Sequence, residues 1–243
     1  KFENYADAKF RITRNQTADD AFIYWAEDPI IDKYLQNPKQ VFGATLHPYG
    51  LTQHYCLPIG EEELALKGRH NVLNSMAATL AAQVLDIKKE VIRESLKTFQ
   101  GVEHRLQYIC TVRGVRWIND SKATNVNSCW YALESMTTPT VLIIGGTDKG
   151  NDYSEIDQLV RAKCHTLIAM GVNNEKIIQH FSQSTFAGLT LIDTHSLQEA
   201  VQAAYQAARE GDTVLLSPCC ASFDLFKSYE DRGEQFMAAV RAL

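Results

Sequence analysis

Three stretches in the second half of the chain carry residue types suited to holding anions. The first is GVEHRLQYICTVRGVRWINDSKATN, with His104-Arg105 near its start and Asp120-Ser121-Lys122-Ala123-Thr124-Asn125 at its end. An arginine offers a fork of donors to phosphate, an aspartate accepts from a ribose hydroxyl, and a threonine hydroxyl can bind a carboxylate. Composition alone favours a plainer reading of the second run, as a helix cap and first turn. The second stretch, Gly145-Gly146-Thr147-Asp148-Lys149-Gly150, follows an apolar run. Backbone N–H groups in such a turn, and the dipole of the helix after it, favour negative charge. A tight turn with an exposed lysine is an equal alternative. The spacing is not that of a Walker A loop, and no G-x-x-x-x-G-K-[ST] occurs anywhere in the chain. The third stretch, Ser217-Pro218-Cys219-Cys220-Ala221-Ser222-Phe223-Asp224, offers a hydroxyl and free N–H groups where a helix starts. Cys219-Cys220 has no base nearby in sequence and reads as buried thiol.

Two weaker candidates lie nearer the start. Asn71 and Asn74 sit one helical turn apart, off the apolar stripe, and paired amides can read the edge of adenine. Lys9 stands among Tyr5, Ala6, Ala8 and Phe10. A desolvated lysine can react with carbon dioxide to form a carbamate, an anionic metal ligand; an amphipathic lysine snorkelling off a helix is the commoner arrangement.

Alternating elements must position these groups. Apolar runs Val141–Ile144, Leu167–Met170, Leu189–Ile192 and Val214–Leu216 are separated by helical stretches, the pattern of βαβ units and a parallel sheet. Gln107–Val112 and Val115–Ile118 flank Arg113-Gly114 as a hairpin. The clearest helix runs from Ser196 to Arg209, with a capping box of Ser196 and Glu199 and a face of Leu197, Val201, Ala204 and Ala208. The strand runs stop at Gly145-Gly146, Gly171, Asp193-Thr194 and Ser217-Pro218, which marks one rim as the place for a ligand. Before Gly101, strands are expected at Phe22–Trp25 and Val41–Leu46, and a short helix opens at Asp28-Pro29. A helix from His70 to Val84 would bury Leu73, Met76, Ala77, Leu80, Ala81 and Val84, and another spans Lys88 to Phe99. The fold class is α/β, with a boundary near Gly101 separating residues 1–100 from residues 101–243.

The chain has 243 residues, 45% hydrophobic and 22% charged, with a formal net charge of −5. That acidity argues against a nucleic-acid partner, which needs a basic field. No run approaches the roughly 18 apolar residues of a membrane span, so no membrane partner is expected. Six scattered cysteines without a C-x-x-C pair read as reduced thiols in a cytoplasmic protein. KFENYADAKF opens without Met in what reads as mid-helix, the expected look of the back portion of a longer protein.

Together these stretches resemble the Mur ligases of peptidoglycan synthesis, and among them the members that add D-glutamate. YADAKFRITRNQ resembles the family's carbamylated-lysine segment, which implies that role for Lys9. GRHNVLNSMAA resembles its adenine-reading helix, implicating Asn71 and Asn74. GVEHR and INDSKATN resemble its nucleotide and acceptor segments, implicating His104, Arg105, Asp120, Lys122 and Thr124. GGTDKG resembles the glycine turn whose lysine, here Lys149, meets D-glutamate. LLSPCCASFDLFKSYEDRGEQF is the most specific match; it places Ser222, Phe223 and Tyr229 at the glutamate, with backbone contacts expected at the last two.

The resemblance implies a Rossmann-like, mostly parallel C-terminal sheet flanked by helices and, before it, the later part of an α/β ATPase domain without its P-loop. It implies ATP and Mg2+ as cofactors, the latter held with help from Lys9 carbamate, and a monomer acting on UDP-N-acetylmuramoyl-L-alanine and D-glutamate. ATP would phosphorylate the alanyl carboxylate, and the amine of D-glutamate would attack the acyl phosphate with His104 as one hypothesis for its base. This polypeptide alone is expected to be inactive. Alternatives are a non-catalytic nucleotide- or ligand-binding fragment, and another ligase of the Mur or folylpolyglutamate type.

Overall fold

The computed structural model describes residues 2–37 and 42–243. The chain divides into two compact units, Lys1–Gln100 and Gly101–Leu243.

The first unit contains α1 (Phe2–Phe10), β1 (Ala21–Trp25), α2 (Pro29–Leu35), β2 (Thr45–Tyr49), α3 (Arg69–Val84) and α4 (Lys89–Thr98). Asp28 caps α2 by accepting from the N–H groups of Ile30 and Ile31 at 2.8 and 3.2 Å, with Pro29 at the first helical position, where its missing N–H costs nothing. β1 and β2 pair in parallel from Ala21↔Thr45 to Trp25↔Tyr49. The second strand thus lies later than expected. Of the run Val41–Leu46, Val41 is outside the described residues and only Thr45 and Leu46 are in the strand, which continues through Pro48 because a two-stranded sheet leaves free edges that tolerate proline. The buried face of α3 also differs: Val72, Met76 and Thr79 are buried, whereas Val84 is 41% exposed. Thr79 can face inward because its hydroxyl donates to the Ser75 carbonyl at 2.8 Å. Ile59 and Leu64 complete this small core with Val72 and Met76.

The second unit contains β3 (Gln107–Val112), β4 (Val115–Asn119), α5 (Val126–Glu134), β5 (Thr140–Gly145), α6 (Asp157–Lys163), β6 (Cys164–Met170), α7 (Glu175–Phe181), β7 (Thr190–Thr194), α8 (Leu197–Ala207), β8 (Thr213–Cys219) and α9 (Tyr229–Arg241). They form one six-stranded sheet of order β3-β4-β8-β5-β6-β7, antiparallel only at the β3–β4 hairpin. Arg113 and Gly114 both have positive φ (51° and 74°), so the two-residue turn follows the twist of its strands. β5 and β8 are buried along their whole length, which is why they read as unbroken apolar runs. α5, α6 and α7 pack on one face, around Cys129, Leu133, Ile156 and Phe181. α8 and α9 cover the other, around Val201, Ala204, Phe236 and Val240.

Ser196 caps α8 as expected, accepting from Glu199 N–H at 3.2 Å, an arrangement worth about 1 kcal/mol. The reciprocal half is displaced: the Glu199 carboxylate takes the N–H of His195, not of Ser196, at 2.8 Å. β8 also runs past its expected stop. Its pairing with β5 passes from Ile143↔Leu216 to Gly145↔Cys219, so Ser217-Pro218 forms a bulge where proline owes no ladder bond.

The chain goes from β4 through α5 to β5 and leaves a slot between them that β8 fills. β4 and β5 feed helices on one face, and β8 feeds α9 on the other. Connections therefore diverge on both sides of the β8 tip, the topological position where open α/β sheets hold ligands.

Candidate functional site

Thr124, Ser222 and Lys149 follow the carboxyl ends of β4, β8 and β5, three neighbouring parallel strands. The tips are tied directly, for Thr147 N–H donates to the Ala221 carbonyl at 2.8 Å. Gly145 and Gly146 make this approach possible. Both have positive φ (133° and 126°), and a Cβ would stand 2.2 Å from Met170 O and from Ala221 O respectively.

Lys149 is exposed at the apex of the turn, and among the described residues its ammonium has no hydrogen-bond or ion-pair partner. The turn below it is fully engaged. Asp148 Oδ1 accepts from Gly150 N–H at 2.6 Å, Asn151 N–H at 3.1 Å and Lys176 Nζ at 3.2 Å, while Oδ2 accepts from the Tyr153 hydroxyl at 3.0 Å. Asn151 Nδ2 in turn donates to the Cys219 carbonyl at 3.1 Å. Burial raises the Asp148 carboxyl, but the donors from Gly150, Asn151, Tyr153 and Lys176 outweigh it and hold it below the ordinary aspartate range. A cleft of about 500 Å³ opens alongside, lined by Gly146, Thr147, Val172 and Asp224 among others.

Thr124 is half-buried, and Ser222 is 2% exposed with its carbonyl accepting from Phe226 N–H at 2.9 Å. Phe223 points to solvent, 69% exposed. Tyr229 is occupied by its neighbours: Lys122 Nζ donates to its hydroxyl at 2.5 Å and lies 4.1 Å from its ring centroid, and Ser121 Oγ donates to its carbonyl at 2.7 Å.

Asp120 is buried at the β4 tip, accepting from Ser217 Oγ at 2.8 Å and Leu106 N–H at 3.2 Å. Burial pushes its carboxyl up to about 7, against those hydrogen bonds and the nearby charge of Arg105. Arg105 itself is exposed, with no hydrogen bond to its guanidinium among the described residues.

His104 departs from the catalytic expectation. It is 4% exposed, with φ of 63°, and Asn119 Nδ2 lies 2.9 Å from its Nδ1. Ser121 N–H donates to the Asn119 Oδ1, which fixes the amide so that Nδ2 donates to the ring. A ring enclosed in this way has no open path to an incoming amine.

In the first unit, Asn71 Nδ2 donates to the Lys67 carbonyl at 2.8 Å, and Asn74 is exposed. Lys9 is also exposed, its Nζ 5.3 Å from the Tyr5 ring centroid, so the desolvated setting expected for it is not found among the described residues.

Residues 104–220 match the family model described as Mur ligase, glutamate ligase domain. The UDP-N-acetylmuramoylalanine–D-glutamate ligase of Bacteroides fragilis is 52% identical over 259 residues, covering 99% of this chain and 57% of that protein. Residues 104–220 thus carry a Mur ligase glutamate ligase domain. The ligase of the same name from Porphyromonas gingivalis is 48% identical, with 99% of this chain and 57% of that protein covered. The chain thus spans a little over half the length of these Mur ligases. Solved Mur ligase structures share its fold: MurF from Acinetobacter baumannii has a TM-score of 0.69 at 18% identity, covering 99% of this chain and 56% of that one. MurF from Thermotoga maritima in complex with ADP has a TM-score of 0.67 at 12% identity, covering 100% and 58%.

Several residues around these strand tips carry no signal in the sequence. Arg232 is fully buried, Nε donating to Ser121 Oγ at 2.9 Å and Nη2 to Ser121 O at 2.8 Å, with Cys220 O at 3.3 Å from both Nη atoms. Lys176 and Tyr153 were equally silent. Cys219 and Cys220 are buried free thiols whose pKa burial raises, which agrees with the plain reading of that pair. Among the described residues no three His, Cys, Asp or Glu side chains gather as a metal site, and no helix is long and apolar enough to cross a membrane.

Proposed function

We propose that this chain is the amino-acid-binding part and a portion of the nucleotide-binding part of a cytoplasmic, monomeric, ATP-dependent ligase that joins D-glutamate to UDP-N-acetylmuramoyl-L-alanine. One observation supports the reading: Thr124, Ser222 and Lys149, whose ammonium has no partner among the described residues, follow the carboxyl ends of three neighbouring parallel strands. A dicarboxylate needs donors at two separated points. Lys149 offers an amine at one, while the half-buried Thr124 hydroxyl and the N–H groups around Ser222 after β8 offer neutral donors. Phe223 and Tyr229 then contribute backbone N–H groups, since one side chain faces solvent and the other is held by Lys122.

ATP, when bound, supplies the phosphoryl group that activates the alanyl carboxylate. Two basic residues suit its anionic part: the Arg105 guanidinium has no hydrogen bond among the described residues, and the Lys122 ammonium lies over the Tyr229 ring. Phosphoryl transfer depends on such positioning and charge neutralisation. Asp120 keeps lone pairs beyond those used by Ser217 and Leu106, which suits a ribose hydroxyl. Within the first unit, Asn71 and Asn74 of α3 are the proposed adenine readers, Asn74 being the more exposed. His104 serves as a positioning residue, holding α9 against β4. The described residues do not assemble a Mg2+ site, and the exposed setting of Lys9 gives its carbamylation no support.

The reading is tested by joining the chain to the part of the Bacteroides fragilis relative that it does not cover. ATP-dependent attachment of D-glutamate is expected from the joined protein, and no turnover from this chain alone. Attachment of a different amino acid in preference to D-glutamate would contradict it.

A further inference from the structure

We propose that Lys176 is a positioning and charge-masking residue for Lys149: it binds Asp148 and so keeps the neighbouring carboxylate out of the anion site. The inference rests on the reading of Lys149 as a D-glutamate contact. A lysine that must meet a dianion has an aspartate as its immediate neighbour in sequence, and that carboxylate would either capture the ammonium or repel the ligand. The structure shows neither. Asp148 turns into the base of the loop, where two backbone N–H groups, the Tyr153 hydroxyl and the Lys176 ammonium occupy it. Lys176 reaches across from α7 and also donates to the Asn151 carbonyl at 2.6 Å, so a single ammonium grips both ends of the segment that carries Lys149. The apex lysine is left without a partner among the described residues.

Two consequences are separable. As a clamp, Lys176 fixes the backbone from Asp148 to Asn151. As a counter-ion, it offsets the negative charge next in sequence to Lys149; without it, Asp148 would oppose a bound dianion through space. The Lys176 side chain is 51% exposed, so replacing it leaves the core untouched.

The test is titration of D-glutamate into the full 243-residue chain, followed by NMR, with thermal melting recorded for each variant. Lys176→Met is expected to raise the Kd about tenfold, and Lys176→Arg to stay within about twofold of the unaltered chain. Adding Asp148→Asn to Lys176→Met is expected to recover most of the lost affinity, because the exposed charge is then gone; a purely structural clamp would instead weaken further. An unchanged Kd in Lys176→Met while Lys149→Ala weakens binding overturns this inference and spares the site. A double variant as weak as Lys176→Met also overturns it. Binding that is indifferent to Lys149→Ala, or absent from the unaltered chain, overturns the site reading, and this inference with it.

Discussion

Gly233 of α9 lies so close to the ring of His104 that a Cβ added there would stand 2.2 Å from Nδ1. The ring is held in place, because Asn119 Nδ2 donates to Nδ1 while lying 3.4 Å from Gly233 O, and the residue is buried. Two effects of Gly233→Ala therefore compete. Alanine favours a helix over glycine by about 1 kcal/mol, whereas overpacking a rigid contact costs about 1–3 kcal/mol. The clash is expected to win, lowering the midpoint of urea unfolding; a raised midpoint would show that the ring is free to move.

Arg232 joins three elements without a salt bridge to a carboxylate among the described residues. Its guanidinium spans Ser121 beyond β4 and Cys220 beyond β8, and burial brings its pKa down to about 10, still well above neutrality. Arg232→Met removes four charge-assisted donor contacts and leaves two carbonyls unpaired, a loss of about 3 kcal/mol or more. Arg232→Lys is expected to recover little, since a single ammonium lacks the fork geometry. Denaturant unfolding of both variants measures this, and near-complete rescue by lysine would contradict it.

Asp120 predicts a pH dependence. Its folded pKa of about 7 lies above the ordinary aspartate value, so between about pH 4 and pH 7 the folded chain holds a proton that the unfolded chain has released. The stability it contributes is complete below about pH 4 and is lost as pH rises through about 7. In Asp120→Asn the amide can accept from Leu106 N–H and donate to Ser217 Oγ, and the slope disappears. Urea midpoints recorded from pH 5 to pH 8 should show the unaltered chain losing ground to Asp120→Asn as pH rises. Parallel curves would sink the assignment.

The sheet of the second unit was legible because its central strands β5 and β8 are buried along their whole length and α8 carries its own cap and apolar face. The β3–β4 hairpin was legible from Arg113-Gly114. Elements that lean on distant partners were not. The start of β2 is set by pairing with β1, and the buried face of α3 includes a threonine whose hydroxyl is satisfied within the helix. The site divides along the same line. Local motifs put Thr124, Lys149 and Ser222 at strand ends, but nothing local says that β8 inserts between β4 and β5. Lys176 reaches Asp148 across 28 positions and Arg232 reaches Ser121 across 111, so neither could be read from spacing. His104 looked reactive in sequence because burial is a property of what folds over it.

The account stands most directly on a dicarboxylate bound between Thr124, Lys149 and Ser222. It is measured by titrating D-glutamate into the chain and following the amide signals of these residues in the unaltered protein and in Lys149→Ala. Saturable shifts at the β4, β5 and β8 tips are predicted, with affinity at least about tenfold weaker in the variant. Shifts confined to another edge of the sheet, or equal affinity in both proteins, would contradict it.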